Sequence, residues 1–403
     1  MKQSVIEEIA QEQKEYLLSS DNGLQRQELL SLPDLSSHTL IVSGIRRCGK
    51  STILKQFLKS KHKNAFFFNF EDVRLYDFST NDFSILDRVI NNTGEKVLFF
   101  DEIQIVKAWE LYVRQKMEQG FQVVISGSNA DLLSRELGTK LTGRHITREL
   151  YPFSFSEFCR FKNLENDKQA VLDYLRTGGF PEVVKSRNNE ILQFLIDDIL
   201  HRDIAVRYGV RDISSLKRLC SFLLSNAGNL LSPSKLTQAI GIKSASTILD
   251  YFSYFEACYL LNLMPRFAYS VKSQMLAPKK LYINDTGLIK VGATSFSENS
   301  GHLLENVVFY HLLRQTKELY YLNENGRECD FVRIEKGKGK EVLQVCWQLD
   351  SENEEREIGG LMEAMNFFKL NEGTVITLDT NDLIVKNGKT IKIIAAYEYL
   401  QET

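Results

Sequence analysis

Residues 44–51 read Gly44-Ile45-Arg46-Arg47-Cys48-Gly49-Lys50-Ser51, which fits G-x-x-x-x-G-K-[ST] at every fixed position. The β-branched run His38 to Ser43 precedes the stretch and a helical pattern, Ser51 to Lys59, follows it. Strand, loop and helix in that order are the context the motif requires. The residue types suit phosphate binding. Glycines let successive backbone N–H groups close around a β-phosphate, Lys50 reaches the β- and γ-phosphates, and the Ser51 hydroxyl ligates Mg2+ at the positive end of a helix. The expected nucleotide contacts are Gly44, Arg47, Cys48, Gly49, Lys50, Ser51 and Thr52, with ATP and Mg2+ as cofactors.

Working outward, Asn64 to Phe70, Lys96 to Phe100 and Phe121 to Ser126 are further short apolar runs separated by helix-length polar segments. Such runs read as buried parallel strands joined by crossover helices, hence an α/β sandwich. The second run delivers Asp101 and Glu102 at its end. Asp101 is expected to hold Mg2+ through its water shell, and Glu102 to orient and deprotonate the attacking water. Ser128 and Asn129 follow the third run, where either would position that water or cap the helix beginning at Ala130. Of the nearby arginines Arg135, Arg144 and Arg148, Arg144 in a Leu-Thr-Gly-Arg turn is the first candidate for a guanidinium supplied to a neighbouring subunit. That role would require a homo-oligomer, whereas the plain alternative is a surface or salt-bridged arginine.

Composition narrows the remaining classes. The 403 residues carry 50 Lys plus Arg against 52 Asp plus Glu, a formal net charge of -2, so bulk positive charge does not drive nucleic-acid binding. Hydrophobic residues at 43% and charged residues at 25%, with 6 Pro and 23 Gly, match a folded globular chain. No run approaches the roughly 18 apolar residues of a spanning helix, and the first residues, rich in Gln, Glu and Lys, lack a signal-peptide core. A cytoplasmic protein without a membrane partner is expected. The 6 cysteines show no C-x-x-C pair, so they read as reduced thiols outside any zinc site.

Beyond Pro152 the pattern becomes helical, broken at Gly178-Gly179-Phe180-Pro181 and at Ser232-Pro233, and strand-like runs return from Lys280 onward. Short helices from Ser232 and from Ser246 to Leu261, separated by Gly241-Ile242, have helix-turn-helix spacing. The second of them carries Asp250, Glu256 and the aromatic residues Tyr251, Phe252, Tyr254 and Phe255 but no Lys or Arg, which favours packing or protein contact over DNA. Arg202, Arg207, Arg211, Lys217 and Arg218 leave a phosphate-contacting segment open, with a solvated helix face as the commoner explanation.

The segments 44–51, Phe-Phe-Asp-Glu-Ile-Gln (99–104) with Trp109 after it, Gly-Ser-Asn (127–129), Leu-Thr-Gly-Arg (141–144), Tyr-Pro-Phe-Ser-Phe-Ser-Glu-Phe (151–158) and Gly-Gly-Phe-Pro-Glu (178–182) occur in a telling order. In them the chain resembles the prokaryotic AAA-type ATPases that carry a C-terminal domain of unknown function related to the PD-(D/E)XK nuclease fold. The resemblance implies an α/β P-loop NTPase domain with a parallel sheet, a helical or winged-helix-like middle, and an α/β restriction-endonuclease-like end. The expected divisions are a helical segment at 1–23, the ATPase domain at 24–151, a helical lid at 152–212, a winged-helix-like domain at 213–279 and the nuclease-like domain at 280–403.

In that last domain the nuclease pattern would draw metal-binding acids from Glu305 on a helix and from Asp330, which is expected to open a strand. The pattern's Glu-x-Lys falls on Gln344-Val345-Cys346, so a carboxylate and the catalytic lysine are missing, and only a displaced lysine would let the site cut. The leading reading is an ATPase whose turnover drives conformational change in modules that bind DNA or a protein. A nucleotide-gated binding protein with negligible turnover and an ATP-dependent nuclease are the alternatives.

Overall fold

The computed structural model describes residues 1–35, 38–129, 144–242, 244–293 and 300–401. They divide into two compact units: Met1–Tyr151 with Ala257–Tyr259, and Pro152–Glu256 with Leu260–Thr403.

The first unit is built on a five-stranded sheet of order β2-β3-β4-β1-β5, with β1 Thr39–Ser43, β2 Phe66–Asn69, β3 Val97–Asp101, β4 Gln122–Gly127 and β5 His145–Glu149. Every pairing in it is parallel. The inner strands β1, β3 and β4 are buried at nearly every position, and their central residues are apolar because both faces are covered. Helix α1 (Gln3–Ser19) packs Ile6, Ile9 and Ala10 into the core that holds Phe68, Phe100 and Ile125. Its Gln13 amide donates to Asn69 O (3.0 Å) and accepts from Asn69 N–H (2.8 Å), occupying backbone groups of edge strand β2. Helices α2 (Lys50–Lys61), α3 (Phe83–Thr93) and α4 (Trp109–Glu118) supply the crossovers.

The sequence reading contained no counterpart of β5. Its residues His-Ile-Thr-Arg-Glu are half-buried or exposed, so an edge strand held by pairing to β1 leaves no apolar run to read.

In the second unit, helices Phe155–Lys162, Lys168–Thr177, Pro181–Ser186 and Glu190–Asp198 lead into a π-helical segment, Ile199–Val206. A helix at Ile213–Leu224 is followed by β6 (Leu230–Leu231), helices Pro233–Ile240 and Ala245–Ala257, β7 (Leu261–Met264) and β8 (Lys279–Ile283). These three strands form an antiparallel sheet of order β6-β8-β7. The helix expected to run to Leu261 therefore ends at Ala257, and Leu261 starts a strand. An apolar run such as Leu-Leu-Asn-Leu-Met suits either period, and pairing with β8 decides it.

The chain ends in a six-stranded sheet of order β13-β14-β12-β11-β10-β9, with β9 Leu319–Glu324, β10 Arg327–Glu335, β11 Lys338–Val345, β12 Glu372–Thr377, β13 Asp382–Lys386 and β14 Lys389–Ala395. Helix Ser300–Gln315 precedes it, and Glu354–Phe367 packs Ile358, Leu361 and Met365 against its core. Asp330 lies inside β10 rather than opening it. Strand β8, grouped from sequence with these C-terminal strands, pairs instead with β6 and β7. Strand β13 was not read from the sequence: Leu-Ile-Val is a run of only three apolar residues, on an edge strand that is exposed or half-buried at every position.

Candidate functional site

The phosphate loop spans from the end of β1 to the start of α2. Gly44 has φ +154°, and a Cβ there would lie 2.1 Å from Leu150 O, so only glycine lets the loop leave the sheet so close to the chain after β5. Gly49 caps α2 in the left-handed region and Arg47 also has positive φ. Cys48 is buried with its thiol donating to Leu150 O (3.4 Å), and burial pushes that thiol up. Arg47 and Ser51 are exposed, and Thr52 is half-buried.

Lys50 is buried and folds back on the loop, donating to Gly44 O (3.0 Å) and Ile45 O (3.1 Å). Its Nζ lies 3.9 Å from Glu102 Oε1.

Parallel pairing of β3 with β4 brings Asp101 and Glu102 beside Ser126. The Ser126 hydroxyl donates to Asp101 Oδ1 and accepts the Glu102 N–H at 3.2 Å. Asp101 is 1% exposed; burial and the neighbouring Glu102 carboxylate push its carboxyl up to about 6, opposed by the hydroxyls of Ser126 and Ser51 and by Lys50. Its Oδ2 is buried with no hydrogen-bond partner among the described residues. A buried carboxylate oxygen left open is costly unless a cation or donor meets it, so Asp101 and Ser51 fit the Mg2+ expected there. Glu102 has φ +53°, a strained conformation for a side chain of this size. Gln104 Nε2 donates to Glu102 Oε2, a contact within the Asp-Glu-Ile-Gln segment that the sequence did not disclose.

Sequence reasoning also passed over Arg26. Its guanidinium is 1% exposed and donates to Cys48 O (2.8 Å) within the loop and to Tyr151 O (2.8 Å). Gln56 of α2 accepts from Arg26 N–H (3.2 Å) and donates to Asn22 O and Leu24 O (2.7 Å each), tying the segment before β1 to the helix. One buried arginine among polar residues leaves no periodic signal.

Ser128 and Asn129 are buried immediately after β4; the hydroxyl that meets Asp101 is that of Ser126. Arg144 is exposed directly before β5, where its carbonyl accepts from Thr39 N–H (3.0 Å). Arg148 is exposed on β5, and Arg135 lies outside the described residues.

A family model described as an AAA domain matches residues 36–159, and one described as a domain of unknown function, DUF8612, matches residues 168–297. The chain is 35% identical over 369 residues to "Uncharacterized protein MJ1544" of Methanocaldococcus jannaschii, covering 85% of this chain and 82% of that protein. It is 31% identical over 375 residues to an uncharacterized protein of Haemophilus influenzae, covering 88% of this chain and 92% of the other. An AAA domain suggests a nucleotide-binding ATPase, and no helix among the described residues is long and apolar enough to cross a membrane. The chain belongs to the family of these two proteins, in which an AAA domain precedes a domain of unknown function.

Proposed function

We propose that the chain is a Mg2+-dependent ATPase whose turnover moves the elements that follow the AAA domain. The observation that carries this reading is the Asp101–Ser126–Glu102 arrangement: one carboxylate with an open buried oxygen, one held by Gln104, both beside Lys50. On nucleotide binding, the Lys50 ammonium exchanges its two loop carbonyls for phosphate oxygens. Backbone N–H groups of 47–52 surround the β-phosphate. Asp101 Oδ2 and Ser51 Oγ would hold Mg2+, which supplies charge neutralisation on the phosphate oxygens. Glu102 takes the proton of the attacking water, and Asn129 orients that water. Arg144, exposed directly before edge strand β5, acts on the nucleotide of an adjoining copy in a homo-oligomer.

The order helix, strand, two helices, strand, short helix Val271–Leu276, strand over residues 213–283, with its three strands in one antiparallel sheet, supports a winged-helix-like reading of that stretch. The sequence helix, three antiparallel strands, helix, strand from Ser300 onward supports a nuclease-like fold for the end of the chain. With the segment to residue 23, the ATPase domain to 151 and a helical lid at 152–212, this gives five divisions of a cytoplasmic protein. A protein partner is favoured over DNA. Helix Ala245–Ala257 exposes Ser246, Leu249, Asp250 and Ser253 and no basic side chain, while Lys217 pairs with Asp197 (2.9 Å) and Arg218 donates to Ile240 O, Ser214 and Ser215.

The test is steady-state ATP hydrolysis by wild type, Lys50→Ala and Glu102→Gln, alone and with single- or double-stranded DNA. Lys50-dependent turnover indifferent to DNA is expected. Binding without turnover would replace the ATPase reading by a nucleotide-gated binder, and stimulation by DNA would replace the protein partner by nucleic acid.

A further inference from the structure

A second group of acids lies in the second unit, with Glu305 and Asp330 buried and Glu328 half-buried. Lys280 projects from β8 and is 4% exposed. Its Nζ lies 2.8 Å from Glu305 Oε1, 2.8 Å from Glu328 Oε1 and 2.8 Å from Asp330 Oδ1. An ammonium carries three hydrogens, and three carboxylate oxygens meet it. Further donors meet the same acids: Tyr282 donates to Glu305 Oε1 as well (2.6 Å), Val345 N–H to Asp330 Oδ2 (2.9 Å) and Asn323 to Glu328 Oε2 (3.4 Å). Gln344, where the nuclease pattern has an acid, accepts from Asp330 N–H (3.2 Å) and donates to Glu357 Oε2 (2.6 Å).

A nuclease of the resembled type would hold Mg2+ between Glu305 and Asp330. The residues present do not fit that ion. Mg2+ binds carboxylate oxygens at about 2.1 Å, and the Glu305 and Asp330 oxygens it would use face the ammonium instead. Burying Glu305 and Asp330 beside the half-buried Glu328 without a cation would be strongly unfavourable, so positive charge is favoured among them. We infer that Lys280 is the resident cation of this cluster: its side chain fills the place of a divalent ion, and the domain neither takes up a metal there nor cleaves phosphodiesters with one. The missing lysine of the pattern has not moved to a catalytic position, because an ammonium with all three hydrogens committed to acids has none to offer a scissile phosphate.

Mn2+ binding to nucleotide-free protein tests this, counted by the loss of the free-ion EPR signal. Wild type and Asp330→Asn should bind equal numbers of ions. Lys280→Ala should bind one more per chain, and Lys280→Ala combined with Asp330→Asn should lose it. The inference is overturned if wild type binds an ion that Asp330→Asn abolishes, if wild type nicks plasmid DNA with Mg2+ or Mn2+ in an Asp330-dependent manner, or if folded Lys280→Ala binds no extra ion. Should Lys280→Ala fail to fold, the comparison of wild type with Asp330→Asn still decides, since it needs no change at Lys280.

Discussion

Ser126 on β4 donates its hydroxyl to Asp101 Oδ1 at the end of β3, and the Ser126 Oγ itself accepts the N–H of Glu102. One small side chain thereby orients the expected metal ligand and fixes the backbone from which the expected base projects. Replacing Ser126 with Ala should remove a hydrogen bond to a charged group, worth about 1.5 kcal/mol, and lower kcat about tenfold. A kcat unchanged within twofold would assign Ser126 to packing alone.

Glu102→Gln keeps the shape of the side chain and removes its basicity. Turnover should fall by about 10^2 to 10^4-fold with ATP still bound, whereas Lys50→Ala should lose the nucleotide itself. Equilibrium binding of a fluorescent ATP analogue, read beside hydrolysis, separates the two.

Arg26 links the phosphate loop to the chain after β5 through Cys48 O and Tyr151 O. Arg26→Met should leave both carbonyls unmet and destabilise the first unit by about 2 to 4 kcal/mol, weakening ATP binding as the loop loosens. Arg26→Lys cannot span two carbonyls with a planar fork and should recover only part of the loss. Urea unfolding and nucleotide titration would show this, and an Arg26→Met protein as stable as wild type would exclude it.

Gly178 has φ +75°, and a Cβ there would fall 1.9 Å from Asp285 Oδ1, the carboxylate that accepts from Gly179 N–H (2.6 Å) and Gly287 N–H (2.8 Å). Gly178→Ala should therefore cost about 3 kcal/mol or more, combining backbone strain with a clash. Gly209→Ala is the control: φ is +66° with open space around it, so about 1 kcal/mol is expected. Equal losses for the two variants in thermal unfolding would discount the Asp285 contact.

The same Asp285 predicts a pH dependence. Burial pushes its carboxyl up to about 6, against the lowering effect of the two N–H groups. The folded chain thus holds this proton more tightly than the unfolded chain does. Its contribution to stability is full below about pH 4 and is lost as pH rises through about 6, by as much as about 3 kcal/mol. Unfolding free energies of Asp285→Asn between pH 4 and 7 should show that fall flattened relative to wild type.

The sequence alone placed the loop at 44–51, the apolar strand ending in Asp101-Glu102, and the breaks at Gly178-Gly179 and Gly241, because each is a local pattern. A loop motif, a buried strand and a left-handed turn impose their residue types on consecutive positions. It was silent on the edge strands β5, which has no apolar run, and β13, whose run of three apolar residues is too short to stand out, and it misjudged the stretch before Leu261, where pairing with β8 overrides periodicity. Only the tertiary structure decided which distant groups meet: Arg26 with Tyr151, 125 residues apart, Ser126 with Asp101, 25 apart, and Lys280 with Asp330, 50 apart. A buried charge is stabilised by whatever partner packing delivers to it, and that partner need leave no mark in the residues beside it.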